Sequence, residues 1–362
     1  MKIADIKGYE LSIPSGPYDW SHTIGPARGK RNAFFTRVIA EDGTEGNCIS
    51  IERGSILSTI FHNTIKPLAI GAGVHDRERL WQQLLKVSRS EHYNFFGMGA
   101  FDVALWDLAA KQAKLPLYKY IGAYRDKILA YASTFTFDSI EAYQENCKKY
   151  VKQGYKAIKL HVHGIPDVDI EICRAVREAV GPDIKLMLDV SGAYDQMNAL
   201  RVGRELEKLN FLWYEEPLRD FDLHGLKQLN RKLEIPLCTA EQASDINFGV
   251  ANHILHETSS MVHASWAMKA GITGLMKIAH TAESFGLSCQ VLHSEIPGIH
   301  TSLCIKSCTY FESIVPEEAF HLCVKNPLIV PDSEGYIHPP EGPGLGLDID
   351  WDVIDNHTVQ EI

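Results

Sequence analysis

The stretch KLMLDVSGAYDQMNALRVGRELEKLNFLWYEEP, residues 185–217, contains the pattern that decides the fold of this 362-residue chain. A short apolar run, KLMLDVS, is followed by a segment with helical spacing and then by a second apolar run, FLWYEEP. Apolar runs of this length are typical of strands buried on both faces of a parallel sheet. The helical segment is long enough to connect two such strands. The stretch therefore predicts one βα unit followed by the strand of the next unit.

The same unit repeats on both sides of this stretch, with starts 22 to 29 residues apart. The other runs are ILAYASTF (128–135), AIKLHV (157–162), PLCTAE (236–241), SMVHAS (260–265), LSCQVLH (287–293) and, more weakly, TYFESI (309–314). Seven or eight consecutive units predict a TIM-type (β/α) barrel. The alternative is an open doubly wound sheet, which would show a Gly-rich turn after its first strand. No such turn follows residues 128–135.

The segments that flank the barrel show a different order of strand-like and helical stretches. In residues 1–125, strand-like stretches come first and helical spacing follows, which is typical of an α+β module. After residue 324 the alternation stops, and the density of Pro and Gly indicates loops and short strands. We therefore expect an α/β protein in which residues 126–324 form the barrel. Residues 325–362 are expected to return to the module of residues 1–125 and to complete a capping domain.

The composition excludes several classes of function. Lys and Arg number 36 and Asp and Glu 46, so the net charge is −10 and the chain lacks the basic excess of proteins that bind nucleic acid or anionic membranes. No run of 18 apolar residues is present, and with Asp5 among its first residues the N-terminus is not expected to act as a signal peptide. The eight cysteines show no CxxC spacing. This pattern is typical of reduced thiols and predicts a cytoplasmic protein.

Three carboxylates lie at the carboxyl ends of consecutive predicted strands. Asp189, Glu215 and Glu241 are each separated by 26 residues, so they should occupy equivalent positions at one end of the barrel, where such barrels build their active sites. Three converging carboxylates repel one another unless a cation neutralises them. A hard divalent cation with oxygen ligands, such as Mg²⁺, fits this set. For any one of these residues, the simpler interpretation is a solvated or helix-capping side chain.

Possible acids and bases lie on neighbouring strands. Lys159 and His161 are two residues apart on the second run, so their side chains should point into the same mouth. A lysine in a desolvated pocket beside a metal can titrate low enough to act as a base, and histidine needs less adjustment. His293 ends the seventh run and would face them across the mouth. The alternatives are a salt bridge at the barrel end for Lys159 and a satisfied buried side chain for His293.

Taken together, these features resemble the enolase superfamily, and within it the mandelate racemase subgroup. The resemblance covers essentially the whole chain and is carried by MGAFDVALWDLAAKQAKLPLYKYIG (98–122), WYEEPL (213–218) and EGPGLGLDID (341–350). It implies that Asp189, Glu215 and Glu241 are the Mg²⁺ ligands. Glu216 would then be the neighbouring carboxylate that does not bind the metal.

The resemblance also implies an activity. The shared step of the family is abstraction of the proton α to a substrate carboxylate, which gives an enediolate held on Mg²⁺. Dehydration of an acid sugar, an aldonate or aldarate, to a 2-keto-3-deoxy acid is the expected reaction. The alternatives are a racemase, epimerase or cycloisomerase of a carboxylate substrate, or a non-catalytic binding protein that keeps the fold. The resemblance further implies a homo-oligomer.

The chain departs from the subgroup's pattern at several positions. His161 stands where the second lysine of a K-x-K motif is usual, and Ser265 stands where the sixth strand usually supplies an Asp. The position of that Asp's histidine partner falls on Leu292, one residue before His293, while Glu312 matches the family's eighth-strand acid only weakly. These departures argue against a racemase with a Lys on one face and a His–Asp pair on the other.

A loop of the capping module is the candidate for substrate recognition. In the family this resemblance indicates, capping-domain loops close over the barrel mouth and select the substrate. Residues 16–28 here read GPYDWSHTIGPAR, and we expect Tyr18, Trp20 and His22 to line the pocket. The alternative for each of the three is packing against a neighbouring subunit.

Overall fold

The structure is a computed structural model that describes residues 1–14, 30–50, 54–91, 95–292, 295–317, 321 and 323–362. Its strands are β1 Ile3–Pro14, β2 Lys30–Ala40, β3 Glu45–Ser50, β4 Ile128–Thr134, β5 Ala157–His161, β6 Lys185–Asp189, β7 Trp213–Glu215, β8 Leu237–Thr239, β9 Met261–Ala264, β10 Ser288–Val291, β11 Tyr310–Val315, β12 Tyr336–Ile337 and β13 Thr358–Glu361. Its α-helices are α1 Gly54–Ile60, α2 Lys66–Ala69, α3 Arg77–Glu91, α4 Phe96–Gln112, α5 Leu117–Ile121, α6 Ile140–Lys152, α7 Pro166–Val180, α8 Gln196–Lys208, α9 Leu223–Lys232, α10 Ile246–Leu255, α11 Gly271–Ser284, α12 Ile296–Ser302 and α13 Trp351–His357.

Strands β4 to β11 form the predicted barrel. Each strand pairs in parallel with the next in sequence, and β11 pairs in parallel with β4, which closes the ring. The short β12 adds to β4 in antiparallel orientation. Helices or helical turns connect the strands, as a parallel ring requires. The fold class predicted from the spacing of apolar runs is confirmed.

The capping module is a four-stranded antiparallel sheet with the order β13-β1-β2-β3. A turn after Ala40 joins β2 to β3, and within it the backbone N–H of Gly43 donates to the carbonyl of Ala40. Strand β13 comes from the carboxyl end of the chain, so the last residues pair with the first strand. Between α1 and α2 the helix widens into a π-helical turn over Phe61–Ile65.

Two buried acids of α4 join this module to the rest of the chain. Asp102 accepts hydrogen bonds from the backbone N–H and the hydroxyl of Thr273, at the start of α11 in the barrel. Asp107 accepts from the backbone N–H groups of Asn47 in the cap and Leu345 in the carboxyl-terminal segment, both at 2.7 Å. A buried partner left unpaired here would cost about 1–3 kcal/mol. These contacts hold α4 to the start of α11, to the sheet of the cap and to the carboxyl-terminal segment.

Candidate active site

The three predicted carboxylates meet at the carboxyl ends of the central barrel strands. Asp189 is the last residue of β6 and Glu215 the last of β7, and the two are direct partners in the strand register. Glu241 lies two residues beyond the end of β8. One oxygen of each carboxylate lies within 4.8 Å of one oxygen of each of the others. The equal spacing in the sequence therefore corresponds to a single cluster.

The electrostatics of the cluster are compatible with a bound cation. Burial, Asp189 and Glu215 together raise the pKa of Glu241, because three negative charges in one pocket repel. Burial and the neighbouring Glu241 hold the pKa of Glu216 well above its usual range. Glu216 does not join the cluster but accepts a hydrogen bond from the backbone N–H of Glu241 at 3.1 Å. Three converging carboxylates without sulfur or imidazole donors form a set that suits Mg²⁺.

Lys159 supplies a positive charge to this cluster. Its Nζ lies 3.1 and 3.2 Å from the two oxygens of Glu215, 3.4 Å from Asp189 and 2.8 Å from Glu312, and its side chain is fully buried. The hydroxyl of Ser133 donates to the same oxygen of Glu312 at 2.8 Å. Burial lowers the pKa of Lys159, but Glu215 and Glu312 outweigh burial and hold that pKa well above its usual range.

This direction is the opposite of the lowered pKa that the sequence predicts for Lys159 as a base. Desolvation does act on its ammonium group, but the attraction of the surrounding carboxylates is larger. With these partners the positively charged form of Lys159 is favoured, and its role as an acid or base stays a prediction.

His161 lies on the same side of the mouth as Lys159, as the two-residue spacing predicted. Its Nδ1 is 2.6 Å from the carbonyl oxygen of Thr134, which can only accept, so Nδ1 carries a proton. Its Nε2 lies 3.1 Å from Asp189 Oδ2. His161 and Lys159 in turn hold the pKa of Asp189 below its usual range, against the effect of burial. The nitrogen that faces the carboxylate cluster is therefore Nε2.

Among the described residues, Ser265 directly follows the sixth barrel strand and Leu292 directly follows the seventh. Ser265 is buried, and its hydroxyl accepts hydrogen bonds from the backbone N–H groups of Ala267 and Met268 at 3.0 and 3.4 Å. It thus caps the turn after β9. Leu292, at the position of the subgroup's histidine, is also buried, and its N–H donates to the carbonyl of Ala264.

Four predicted site residues lie outside the described residues. These are the candidate second base His293 and the candidate substrate-binding residues Tyr18, Trp20 and His22. Their roles stay predictions.

The structure adds two residues to the site that were not predicted from the sequence. The indole Nε1 of Trp213 donates to Glu215 Oε2 at 3.2 Å, and His263 Nδ1 contacts Glu215 Oε1. Both side chains point into the barrel beneath Glu215. A signal was present, because Trp213 lies two residues before Glu215 on the same strand face and His263 lies at the centre of the sixth apolar run.

Comparison with known proteins places the chain in a family. Residues 142–353 match "Enolase C-terminal domain-like", and residues 21–122 match "Mandelate racemase / muconate lactonizing enzyme, N-terminal domain". The chain belongs to the enolase superfamily. Within that superfamily it falls in the mandelate racemase subgroup.

Individual enolase-superfamily members extend this result. The crystal structure of D-glucarate dehydratase from Agrobacterium tumefaciens, complexed with magnesium, is 33% identical and superposes with a TM-score of 0.91 over 99% of this chain and 100% of that one. Arabinonate dehydratase from Saccharolobus solfataricus is 27% identical over 96% of both chains. L-Ala-D/L-Glu epimerase from Clostridium acetobutylicum is 27% identical over 80% of this chain and 82% of its own. The relatives of this chain are thus enzymes, mostly dehydratases but also epimerases. Magnesium is the cofactor indicated for this superfamily member.

No helix in the described part of this enolase-superfamily chain is long and apolar enough to cross a membrane.

Proposed function

We propose that this protein is a Mg²⁺-dependent hydro-lyase that removes the proton α to the carboxylate of an acid sugar and expels the β-hydroxyl to give a 2-keto-3-deoxy acid. Asp189, Glu215 and Glu241 would hold the metal. When bound, Mg²⁺ would stabilise the negative charge that develops on the substrate carboxylate as the α-proton leaves. The substrate would be a small carboxylate, an aldonate or aldarate.

The observation that carries this proposal is the placement of His161. Thr134 fixes the proton on Nδ1, and Nε2 faces the carboxylate cluster beside Asp189. In this arrangement Nε2 accepts the α-proton. The same nitrogen then returns a proton to the departing β-hydroxyl, which leaves as water. One residue on one face is sufficient for such a syn elimination.

Among the described residues on the opposite side of the mouth, the subgroup's second-base positions carry no acid or base, which favours dehydration over racemisation; the candidate second base His293 lies outside them. A two-base racemase needs a second base on the other face of the substrate. Ser265 and Leu292 occupy the positions where the subgroup carries its Asp–His pair, and both are committed to packing or turn formation. Lys159 adds a positive charge beside the metal ligands, which favours binding of an anionic carboxylate.

The test is a screen of acid sugars with the Mg²⁺-loaded protein, in which 2-keto-3-deoxy products are detected after reaction with semicarbazide. We expect at least one aldonate or aldarate to lose water, and the activity to disappear in His161→Asn. Exchange of the α-proton for deuterium in D₂O without loss of water would instead identify an epimerase or racemase, as some relatives are. Inactivity on the whole panel with Mg²⁺ bound would contradict the proposal.

A further inference from the structure

His263 lies inside the barrel, below the cluster of metal ligands. It belongs to β9, and its side chain has no solvent exposure. Its Nδ1 contacts Glu215 Oε1, so Nδ1 carries a proton and donates it to the carboxylate. A residue sealed in this way does not touch the substrate. Its direct contact with the proposed metal ligands is the one to Glu215.

Glu215 is held by three donors of different kinds. Lys159 reaches both oxygens but shares its charge with Asp189 and Glu312. The other two donors each bind one oxygen: His263 binds Oε1, and Trp213 binds Oε2. Together, His263 and Trp213 fix the plane of the Glu215 carboxylate from the side that faces the barrel interior.

A histidine at this position carries a free-energy cost that an apolar side chain would not. Within the described residues, His263 Nε2 is buried and has no hydrogen-bond partner. Burial of an unpaired polar atom is unfavourable, and an apolar side chain would avoid that cost. The barrel interior next to this layer is indeed filled by residues such as Met187 and Cys238. The contact of Nδ1 with Glu215 is the feature that an apolar residue would lose.

We propose that His263 is a positioning residue that fixes the Glu215 carboxylate in the orientation that binds Mg²⁺. This inference rests on the metal ligands proposed above. Groups that hold a metal ligand in place typically contribute 10- to 100-fold to metal affinity, because they remove the cost of orienting the ligand on binding. His263 would thus tune the affinity of the site for its metal and leave the chemical step to residues at the mouth.

Two substitutions separate this role from simple core packing. His263→Leu keeps an apolar side chain of similar size but has no donor, whereas the amide nitrogen of His263→Asn occupies nearly the place of Nδ1. Each metal-free protein is titrated with Mg²⁺ by calorimetry. We expect the dissociation constant to rise about 10- to 100-fold in His263→Leu and to stay within about threefold of wild type in His263→Asn. A wild-type dissociation constant in His263→Leu would overturn the proposal.

Two controls keep the test decisive. Glu215→Gln should lose most Mg²⁺ affinity; if it binds Mg²⁺ as wild type does, the proposed ligand set is wrong and the role of His263 falls with it. If His263→Leu does not fold, His263→Gln replaces it, because glutamine carries its amide nearer the Nε2 position. Affinity at least tenfold weaker in His263→Gln than in His263→Asn supports the inference, and equal affinity in the two variants overturns it.

Discussion

Lys159→Met is the substitution whose effect the structure defines most sharply. It removes the charge that contacts Glu215, Asp189 and Glu312 at 2.8 to 3.4 Å and leaves a side chain of similar length in a fully buried position. Loss of one member of a buried ion pair costs about 3–5 kcal/mol, because the remaining charges stay buried without a partner. With an unfolding entropy of about 2 cal/mol/K per residue, this corresponds to a Tm lower by about 4–7 °C.

The pH dependence of this loss follows from the sign of the pKa shift. The pKa of Lys159 is raised in the folded protein, so its stabilisation is complete below the unfolded value of about 10.4 and disappears only as the pH rises through the folded value. The full penalty should therefore appear at pH 8. It should shrink towards pH 5, where the carboxyl groups left without Lys159 can take up protons.

Lys269→Met is the matched control. Lys269 is also buried, at 2% exposure, but its Nζ donates to the backbone carbonyl of Ala243, and burial lowers its pKa to about 8. Because a lowered lysine pKa destabilises the folded state at a pH below the unfolded value, removal of the charge offsets the lost hydrogen bond, and Lys269→Met should cost less than about 1 kcal/mol. Thermal unfolding of both variants and of wild type, in EDTA at pH 8, makes the comparison. If Lys159→Met loses no more stability than Lys269→Met, Lys159 is not the counter-charge of the carboxylate cluster.

Mg²⁺ separates the structural and chemical roles of Lys159. Removal of the lysine leaves the cluster more negative, so Mg²⁺ should stabilise Lys159→Met at least as much as it stabilises wild type. We expect kcat/KM to fall about 100- to 1000-fold even in saturating Mg²⁺, because a charge that stabilises the developing anion is missing. Full activity in saturating Mg²⁺ would show that the lysine serves stability alone.

Three further predictions concern the neighbouring groups. His161→Asn should bind Mg²⁺ normally but lower kcat by about 100- to 10 000-fold and abolish α-proton exchange in D₂O; retained exchange would assign the base elsewhere. Glu216→Gln should be more stable than wild type in EDTA at pH 8. The reason is that a carboxyl group with a raised pKa destabilises the folded state as the pH rises from its unfolded towards its folded pKa. The Mg²⁺ dissociation constant of Glu216→Gln should stay within about threefold of the wild-type value. The pKa of Glu241 is raised in the same direction, so Glu241→Gln should weaken the loss of stability in EDTA as the pH rises above the unfolded glutamate value of about 4.3. Glu241→Gln should also raise the Mg²⁺ dissociation constant by more than about tenfold, and an unchanged constant would exclude Glu241 as a ligand.

Much of this arrangement can be predicted from the sequence, because the barrel repeats one unit. The spacing of apolar runs determines the number and order of strands, and a residue at the end of one run has equivalents at the ends of the others. Asp189, Glu215 and Glu241 are therefore recognisable as a set before their distances are known. The shared direction of Lys159 and His161 follows from the period of a strand.

Other properties depend on which strands face one another across the barrel. The apolar run around His263 shows that this residue is buried, but its contact with Glu215 joins β9 to β7, with β8 between them. The protonation of Lys159 likewise depends on Glu312, more than 150 residues away in the sequence, as well as on its own burial. The balance between desolvation and neighbouring charges can be judged only from interatomic distances, which the sequence pattern does not give.

A structure of the inactive His161→Asn variant with Mg²⁺ and an acid-sugar substrate tests the central claim most directly. We predict that the metal binds Asp189, Glu215 and Glu241, and that the side chain at position 161 is the protein group nearest the α-hydrogen of the substrate. A metal held by other residues, or an α-hydrogen that points away from position 161 towards the sixth and seventh strands, would contradict the account.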